Sequence, residues 1–365
     1  MRLYARIHTR NSALSLYPFQ AHNAIANSTP TTLEIMTDTD SLLQQVLRVH
    51  DEPYRYYNDW EVHDLLTRKP IEYLDHLLEI LDSLAREESA IELPHKLVFE
   101  DEGAMSDFRV MPCVLRHPER VCKTVKLVGT NTSQRQVPDQ ITVGKAFALD
   151  PEENYINAGF AGCLLSSART GACAATAARL LSKNAERVAI VGAGRVGYYA
   201  AFYIAALGNT SEFIFHDRRE KRAQEAARAL QRACPAIIGT TVTEKEPEAD
   251  VVVLATDSLV PVYGKHRPTA RLIISLGADT HWQHELSPRV LENAAICVDT
   301  LDSFGYGDLR LWHKEGRISR EQVTDLIGLL RERPEPAGQT VFISTGSALF
   351  DNLTIDYLLD REAGL

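Results

Sequence analysis

The sequence predicts a two-domain α/β protein whose central domain is built on a parallel sheet. Three observations lead there. The chain has 365 residues, about 2.4 times the ~150 of a typical domain. Its middle alternates apolar strand-like runs with helical periods, the pattern of βαβ units. A glycine triplet, Gly192-x-Gly194-x-x-Gly197, stands between one such strand and one such helix.

Composition narrows the function classes. Asp and Glu number 49 against 39 Lys and Arg, a net charge of −10. A nucleic-acid binder needs a basic face to neutralise phosphates, so that class is disfavoured. Hydrophobic residues make up 45% and charged residues 24%, values typical of globular domains rather than disordered chains. The six cysteines are scattered without a C-x-x-C pair, which argues against a disulfide scaffold or structural zinc and for a reducing, cytoplasmic location. The uncharged run at 154–168 is too short for a bilayer and carries Asn, Gly and Ser, so no membrane association is expected. Arg2, Arg6 and Arg10 punctuate a polar start with no acid before Glu34. That composition suits a transit peptide; the reading taken is a strand at residues 3–7 followed by a polar extension.

The elements follow in order. Residues 60–90 carry leucines at three- and four-residue intervals between charges, the mark of one or two amphipathic helices. From 91 to about 150 the texture is β-rich, with short apolar segments between turn residues. An Ala-rich helix at 172–182 precedes an apolar strand at 188–191, the glycine turn and a helix at 196–207. A strand at 213–215, a charged helix at 219–233 and apolar runs at 251–255 and 272–276 continue the alternation. The tail from 341 to 359 reads as a strand and then a helix.

Each glycine of the triplet has a mechanical reason. Gly192 permits a tight turn, Gly194 lets backbone approach a pyrophosphate, and Gly197 lets helix and strand pack closely. The helix N-terminus at Arg195 and Val196 offers N–H groups to an anion. Asp217, 25 positions after Gly192, ends the next strand, where a carboxylate binds ribose hydroxyls and favours NAD over NADP. Arg218 and Arg219 pull the other way, since a guanidinium there accepts a 2′-phosphate. The expected domain is therefore of the Rossmann type.

Several separated motifs resemble the ornithine cyclodeaminase/mu-crystallin family. They are Val110-Met111-Pro112, Thr124-Val125-Lys126-Leu127-Val128, Ser167-Ala168-Arg169-Thr170-Gly171-Ala172 and the glycine turn. Ala255-Thr256-Asp257-Ser258, Gly277-Ala278-Asp279-Thr280 with Glu285-Leu286, and Ser344-x-Gly346-x-Ala348-x-x-Asp351 complete the set. The resemblance implies a substrate-binding and dimerisation domain at 56–184 after an extension at 1–55. It further implies a Rossmann NAD-binding domain at 185–318 and a tail, 319–365, packing back on the substrate domain. It also implies a homodimer and NAD(P)-dependent chemistry at the Cα–N bond of amino acids. Thr256 and Gly346 fall on cofactor-binding positions of the family.

Chemistry at an amino-acid Cα needs a carboxylate clamp, a group for the amine and a hydride donor alongside. Lys126 matches a lysine the family uses in catalysis and carboxylate binding, and Arg169 matches its R-T-A-A arginine. Lys96, in Leu93-Pro94-His95-Lys96, falls where the family has an arginine; a lysine offers only a point charge there. Lys126 sits inside an apolar run, where an unpaired lysine is costly, which favours a functional reading. Asp279 follows the strand at 272–276 and so stands at the carboxyl edge of the sheet, where ligands bind in open α/β folds. It is the expected acid/base, ionised beside Lys126 and Arg169.

Departures from the cyclodeaminase pattern matter. Asp279-Thr280-His281-Trp282-Gln283 lacks the proline, glycine and lysine of that pattern, with Gln283 at the lysine position. These changes weigh against ring closure and leave redox chemistry in place. His281, His284 and Glu285 do not form H-E-x-x-H, so no metal is expected. The leading expectation is an NAD-dependent amino-acid dehydrogenase or imine reductase acting on a small amino or imino acid. A cyclodeaminase and a crystallin-like binder without turnover are the alternatives.

Overall fold

The structure, a computed structural model, describes residues 38–363 apart from 102–104, 132, 139, 183, 267, 293 and 334–337. The strand expected at 3–7 lies outside these residues. The chain divides into two units, Met1–Asp51 and Glu52–Leu365. The first contributes one described helix, α1 (Asp38–Leu47), which exposes Leu42, Leu43, Val46 and Leu47.

The second unit rests on two sheets. It opens with β1 (Arg55–Tyr57), α2 (Asp59–Thr67) and α3 (Pro70–Ala85). Asn58 caps α2 by accepting from the Trp60 and Glu61 amides, while Glu61 reaches back to the Asn58 amide, a reciprocal capping box. Pro70 opens α3 at a position where its missing N–H costs nothing. The periodic Leu74, Leu77, Leu81 and Leu84 form its buried stripe.

The antiparallel sheet follows: β2 (Ala90–Glu92), β3 (Leu97–Glu100), β4 (Ser106–His117), β5 (Arg120–Asn131), β6 (Thr142–Leu149) and β7 (Ile156–Ala161). The order is β1-β7-β6-β5-β4-β2, with β3 also on β4, and only β1–β7 is parallel. One face of β4 and β5 is buried and the other is partly open. That alternation is what fixes the register.

The long helix α4 (Gly162–Leu181) leads into β8 (Arg187–Val191), α5 (Arg195–Ala206), β9 (Glu212–His216), α6 (Glu220–Ala233) and β10 (Gly239–Val242). Then come β11 (Val251–Leu254), β12 (Leu272–Ser275), β13 (Ala294–Val298), α7 (Gly307–Lys314), β14 (Val323–Asp325), α8 (Leu326–Glu332), β15 (Gln339–Ile343) and α9 (Ala348–Ala363). The eight strands β8–β15 form one all-parallel sheet in the order β10-β9-β8-β11-β12-β15-β13-β14. β11 and β12 are buried along their whole length, as expected of parallel strands covered on both faces.

Two expectations need correction. The segment 319–365 does not return as a whole to the antiparallel sheet: β14 and β15 belong to the parallel sheet, and β15 lies between β12 and β13. The two helices do return to the substrate-domain segment: α8 packs on α3, with Arg333 on Asp82, and α9 crosses against β4, β5, α3 and α4. α9 is pinned there by Asn352 Nδ2, which donates to Cys122 O at 3.0 Å and Thr124 Oγ1 at 2.9 Å, and by an Asp356–Arg120 ion pair at 2.7 Å. A boundary at 318 therefore cuts through a sheet whose apolar strands need both neighbours. Among the described residues, no helix is long and apolar enough to cross a membrane.

Candidate active site

The ends of β8, β9, β11, β12, β15 and β13 all open on one edge of the parallel sheet. They deliver Gly192, Asp217, Thr256, Asp279, Gly346 and Asp299 to that edge. The glycine turn has the expected form. Gly192 has φ +95° and a Cβ there would lie 2.3 Å from Ala255 O, while a Cβ on Gly197 would lie 2.1 Å from Gly192 O. At Gly194 a Cβ would meet nothing within 4 Å. The backbone there faces open space, as a pyrophosphate cradle requires, and α5 begins at Arg195 beside Val196.

Asp217 is already engaged by backbone. Its two oxygens accept from the Ala193 N–H at 2.9 Å and the Arg219 N–H at 2.8 Å. This ties the acid to the glycine turn and leaves each oxygen a further lone pair. Arg218 pairs with Asp257 at 3.4 Å and is largely exposed. These groups fit a dinucleotide with free ribose hydroxyls.

Thr256 and Gly277 are welded by a buried carboxylate. Glu285 Oε1 accepts from Thr256 N at 2.6 Å and Thr256 Oγ1 at 2.9 Å, and Oε2 accepts from Ser275 Oγ and Gly277 N, both at 2.8 Å. Burial raises the Glu285 pKa, and these four donors partly offset the shift. His284 Nδ1 lies 3.1 Å from Asp308 and His281 Nδ1 lies 2.6 Å from Glu100. Neither histidine converges with Glu285.

Lys126 and Arg169 come together around a carboxylate that sequence reasoning left without a role. Lys126 Nζ lies 2.5 Å from Asp351 Oδ2, and Arg169 Nε donates to Asp351 Oδ1 at 2.8 Å. All three side chains are buried. Burial and the Arg169 charge push the Lys126 pKa down to about 8, although Asp351 opposes the shift. Burial alone would raise the Asp351 pKa, but Arg169 and Lys126 hold it below the usual carboxylate range. Arg169 keeps both terminal nitrogens free of hydrogen bonds among the described residues, ready to fork onto a carboxylate. Gly346, at φ +77°, makes room: a Cβ there would press on Arg169 Nη2 at 3.3 Å.

Asp279 stands at the expected sheet edge, within reach of the Arg169 charge but not in contact with it. Its contact is Arg109, whose Nη1 donates to Asp279 Oδ2 at 3.0 Å; Asp351 is the carboxylate in contact with Lys126 and Arg169. Arg109 is fixed by a two-pronged pair with Asp107, at 2.9 and 2.8 Å. Desolvation would raise the Asp279 pKa, but Arg109 and Lys96 outweigh it and hold the group ionised. The Asp279 side chain is still 36% exposed, so it faces the cleft. Gln283, at the lysine position of cyclodeaminases, orients its amide to donate to Asp279 Oδ1 and Gly277 O, each at 3.1 Å.

Lys96 sits over the Tyr306 ring, 3.5 Å from its centroid, and donates to Thr345 O at 2.9 Å and Gly346 O at 3.3 Å. Removal from water, helped by the Arg109 charge, pushes its pKa down to about 7. Arg109, Asp107, Asp351 and Tyr306 are thus site residues that the sequence reading missed. A signal existed for two of them: Asp107 and Arg109 occupy inward positions of an alternating apolar strand, the criterion that picked out Lys126.

The profile of the Ornithine cyclodeaminase/mu-crystallin family matches residues 63–364. The chain belongs to this family. Among relatives of this family member, the Delta(1)-pyrroline-2-carboxylate reductase of Bacillus cereus (strain ATCC 10987 / NRS 248) is 23% identical over 303 residues, covering 80% of this chain and 91% of that protein. The L-lysine cyclodeaminase of Streptomyces rapamycinicus is 27% identical over 250 residues, covering 65% and 70%. The Thermococcus litoralis Delta(1)-pyrroline-2-carboxylate reductase, solved in complex with NADH and L-proline, superposes with a TM-score of 0.75 at 20% identity. That match covers 85% of this chain and 98% of the other.

Proposed function

We propose that this member of the ornithine cyclodeaminase/mu-crystallin family is an NAD-dependent imine reductase, acting at the Cα–N bond of an α-imino acid. The observation that carries the reading is that two buried cations, Lys126 and Arg169, both held by Asp351, occur in one site with a second ionised carboxylate, Asp279, which the Arg169 charge reaches without contact. Lys126 and Arg169 hold the α-carboxylate. Asp279 faces the iminium nitrogen, stabilises its charge and afterwards accepts a hydrogen bond from the amine. A bound NADH would supply a hydride for the iminium carbon; the nitrogen already carries its proton, so charge and atoms would balance. Gly192, Gly194, Gly197 and the start of α5 hold the pyrophosphate, and Asp217 takes the ribose hydroxyls. Glu285 keeps the Thr256 and Asp279 loops in a fixed relation, since Thr256 and Gly277 share its carboxylate.

The proposal includes a homodimer through the outer face of the antiparallel sheet. Phe99 and Phe108 stack there at 4.6 Å with about half of each ring exposed, beside exposed Leu97 and Leu127, and a second copy would cover them. A cytoplasmic location suits six free cysteines.

The test follows NADH absorbance with 2-oxo acids plus ammonium and with cyclic imines. Net NADH oxidation is the expected result. Ammonia release from a diamino acid without net NADH change would make it a cyclodeaminase, and cofactor binding without either would make it a binder.

A further inference from the structure

We propose that Arg109 reads the substrate side chain and selects an imino acid whose side chain ends in a carboxylate. The inference rests on the imine-reductase reading and deepens it.

Register places Arg109 one diagonal step from the clamp. In the β4–β5 pair Met111 lies opposite Lys126 and Arg109 opposite Val128. Arg109 and Lys126 therefore share a face as diagonal neighbours, about 7–8 Å apart along the sheet. An α-carboxylate held by Lys126 and Arg169, with its nitrogen at Asp279, directs the next carbons along this step. A short diacid bridges it.

Arg109 is built as a receptor rather than as a surface charge. Its side chain is 5% exposed and that of Asp107 is 2% exposed. Asp107 grips Nε and Nη2 at 2.9 and 2.8 Å, which fixes the guanidinium plane. Nη1 projects onward, 3.0 Å from Asp279, and Nη1 and Nη2 each have one further N–H to give. A planar, immobilised guanidinium discriminates carboxylates by geometry as well as by charge.

The partners of each charge point the same way. Four cations, Lys96, Arg109, Lys126 and Arg169, share the site with four carboxylates, Asp107, Asp279, Asp351 and Asp299, and each carboxylate is already engaged. A cationic side chain finds no acid. Asp107 is used by Arg109, Asp351 by the clamp and Asp279 by the imine nitrogen. The remaining buried acid, Asp299, accepts from Ser303 Oγ, Ser344 Oγ and the Thr300 N–H. A diamino acid would thus bring an ammonium against Arg109 with nothing to pair it.

Two readouts test this. The first is kcat/KM for NADH oxidation with ammonium plus oxaloacetate against ammonium plus pyruvate, and against Δ1-pyrroline-2-carboxylate. The second is binding of succinate against butyrate to the NADH-loaded protein, followed by protein fluorescence. The wild type is expected to favour the diacid in both, by at least about tenfold and on the order of 10²-fold, as a fixed charged donor discriminates. Arg109→Gln should reduce that ratio to near one, whatever it does to overall activity. Because Arg109→Gln leaves Asp107 buried and alone, the Asp107→Asn/Arg109→Gln double variant gives the same readout without the orphan charge. A wild type that prefers pyruvate imine, the cyclic imine or butyrate overturns the inference. So does an Arg109→Gln that lowers both members of each pair equally, because Arg109 would then only position Asp279. If no imine is reduced yet succinate binds in an Arg109-dependent way, the reductase reading fails and the diacid site stands.

Discussion

Asp351 accepts from Arg169 Nε at 2.8 Å across 182 positions of chain, and its second oxygen lies 2.5 Å from Lys126 Nζ. One carboxylate thus holds two buried cations that would otherwise repel. It also sets their direction, since the arginine is bound only through Nε and its fork lies against Gly346. The clamp proposed for a substrate carboxylate would thus be assembled before the substrate arrives.

Removing that carboxylate should cost both stability and activity. Asp351→Asn leaves Lys126 and Arg169 buried without a counter-charge, and we expect a loss of about 3–5 kcal/mol in denaturant unfolding. A surviving fraction should show a raised KM, because the arginine fork is no longer aimed. Unchanged unfolding would show that water already screens the pair.

Asp279→Asn separates chemistry from binding. The substitution keeps size and most hydrogen bonds but removes the negative charge that Arg109 holds in place. Turnover should fall by roughly 10²–10⁴. The NADH dissociation constant should barely move, since Gly192–Gly197 lie at a different strand end. Near-normal turnover would reduce Asp279 to a turn residue.

The pH profile should descend on its alkaline side. The clamp needs Lys126 protonated, and burial lowers its pKa to about 8. Rising pH therefore removes the proton earlier than for an exposed lysine, and kcat/KM should fall as pH rises through about 8. Lys126→Arg keeps the charge at all accessible pH values and should carry this limb beyond the measured range. A limb unmoved by that variant belongs to another group, Lys96 first, whose pKa is about 7.

Cofactor choice should follow Asp217. With its oxygens aimed by the Ala193 and Arg219 amides, the acid repels a 2′-phosphate and binds a diol. Fluorescence titration should show NADH bound tighter than NADPH, and Asp217→Ser should narrow the gap by weakening NADH. Equal affinities in the wild type would assign the position to Arg218.

The stacked Phe99 and Phe108 give a test of assembly. Phe108→Glu with Leu127→Glu puts charges on the apolar outer face of the antiparallel sheet. Sedimentation at micromolar concentration should show a dimer for the wild type and a monomer for the variant. A monomeric wild type would remove the dimer from the proposal.

What was legible in the sequence was whatever is encoded locally. The glycine turn, the strands β8, β9, β11 and β12 and the stripe of α3 each follow from spacing within a few residues. β13, β14, α7 and α8 were not singled out, because short apolar runs flanked by loops have no period long enough to read. In the site, Lys126 and Arg169 were found but their partner was not. Asp351 meets them only because α9 crosses the antiparallel sheet, a relation no window of sequence contains. Asp279 was assigned to the right edge, but its direct contact with Arg109 was not seen, for the same reason. Arg109 lies on a strand whose pairing with β5, rather than its own sequence, brings it to the clamp.

The place of β15 has a consequence for how this chain is made. Residues Gln339–Ile343 fill the slot between β12 and β13, so a nascent chain exposes two apolar strand edges until these residues emerge. Lys126 likewise lacks its counter-ion until Asp351 has left the exit tunnel. Synthesis from the N-terminus therefore cannot complete either the sheet or the clamp before these segments emerge. The half of the edge carried by β8, β9, β11 and β12 can pair without β15, whereas joining it to β13, and completing the clamp, awaits β15 and α9.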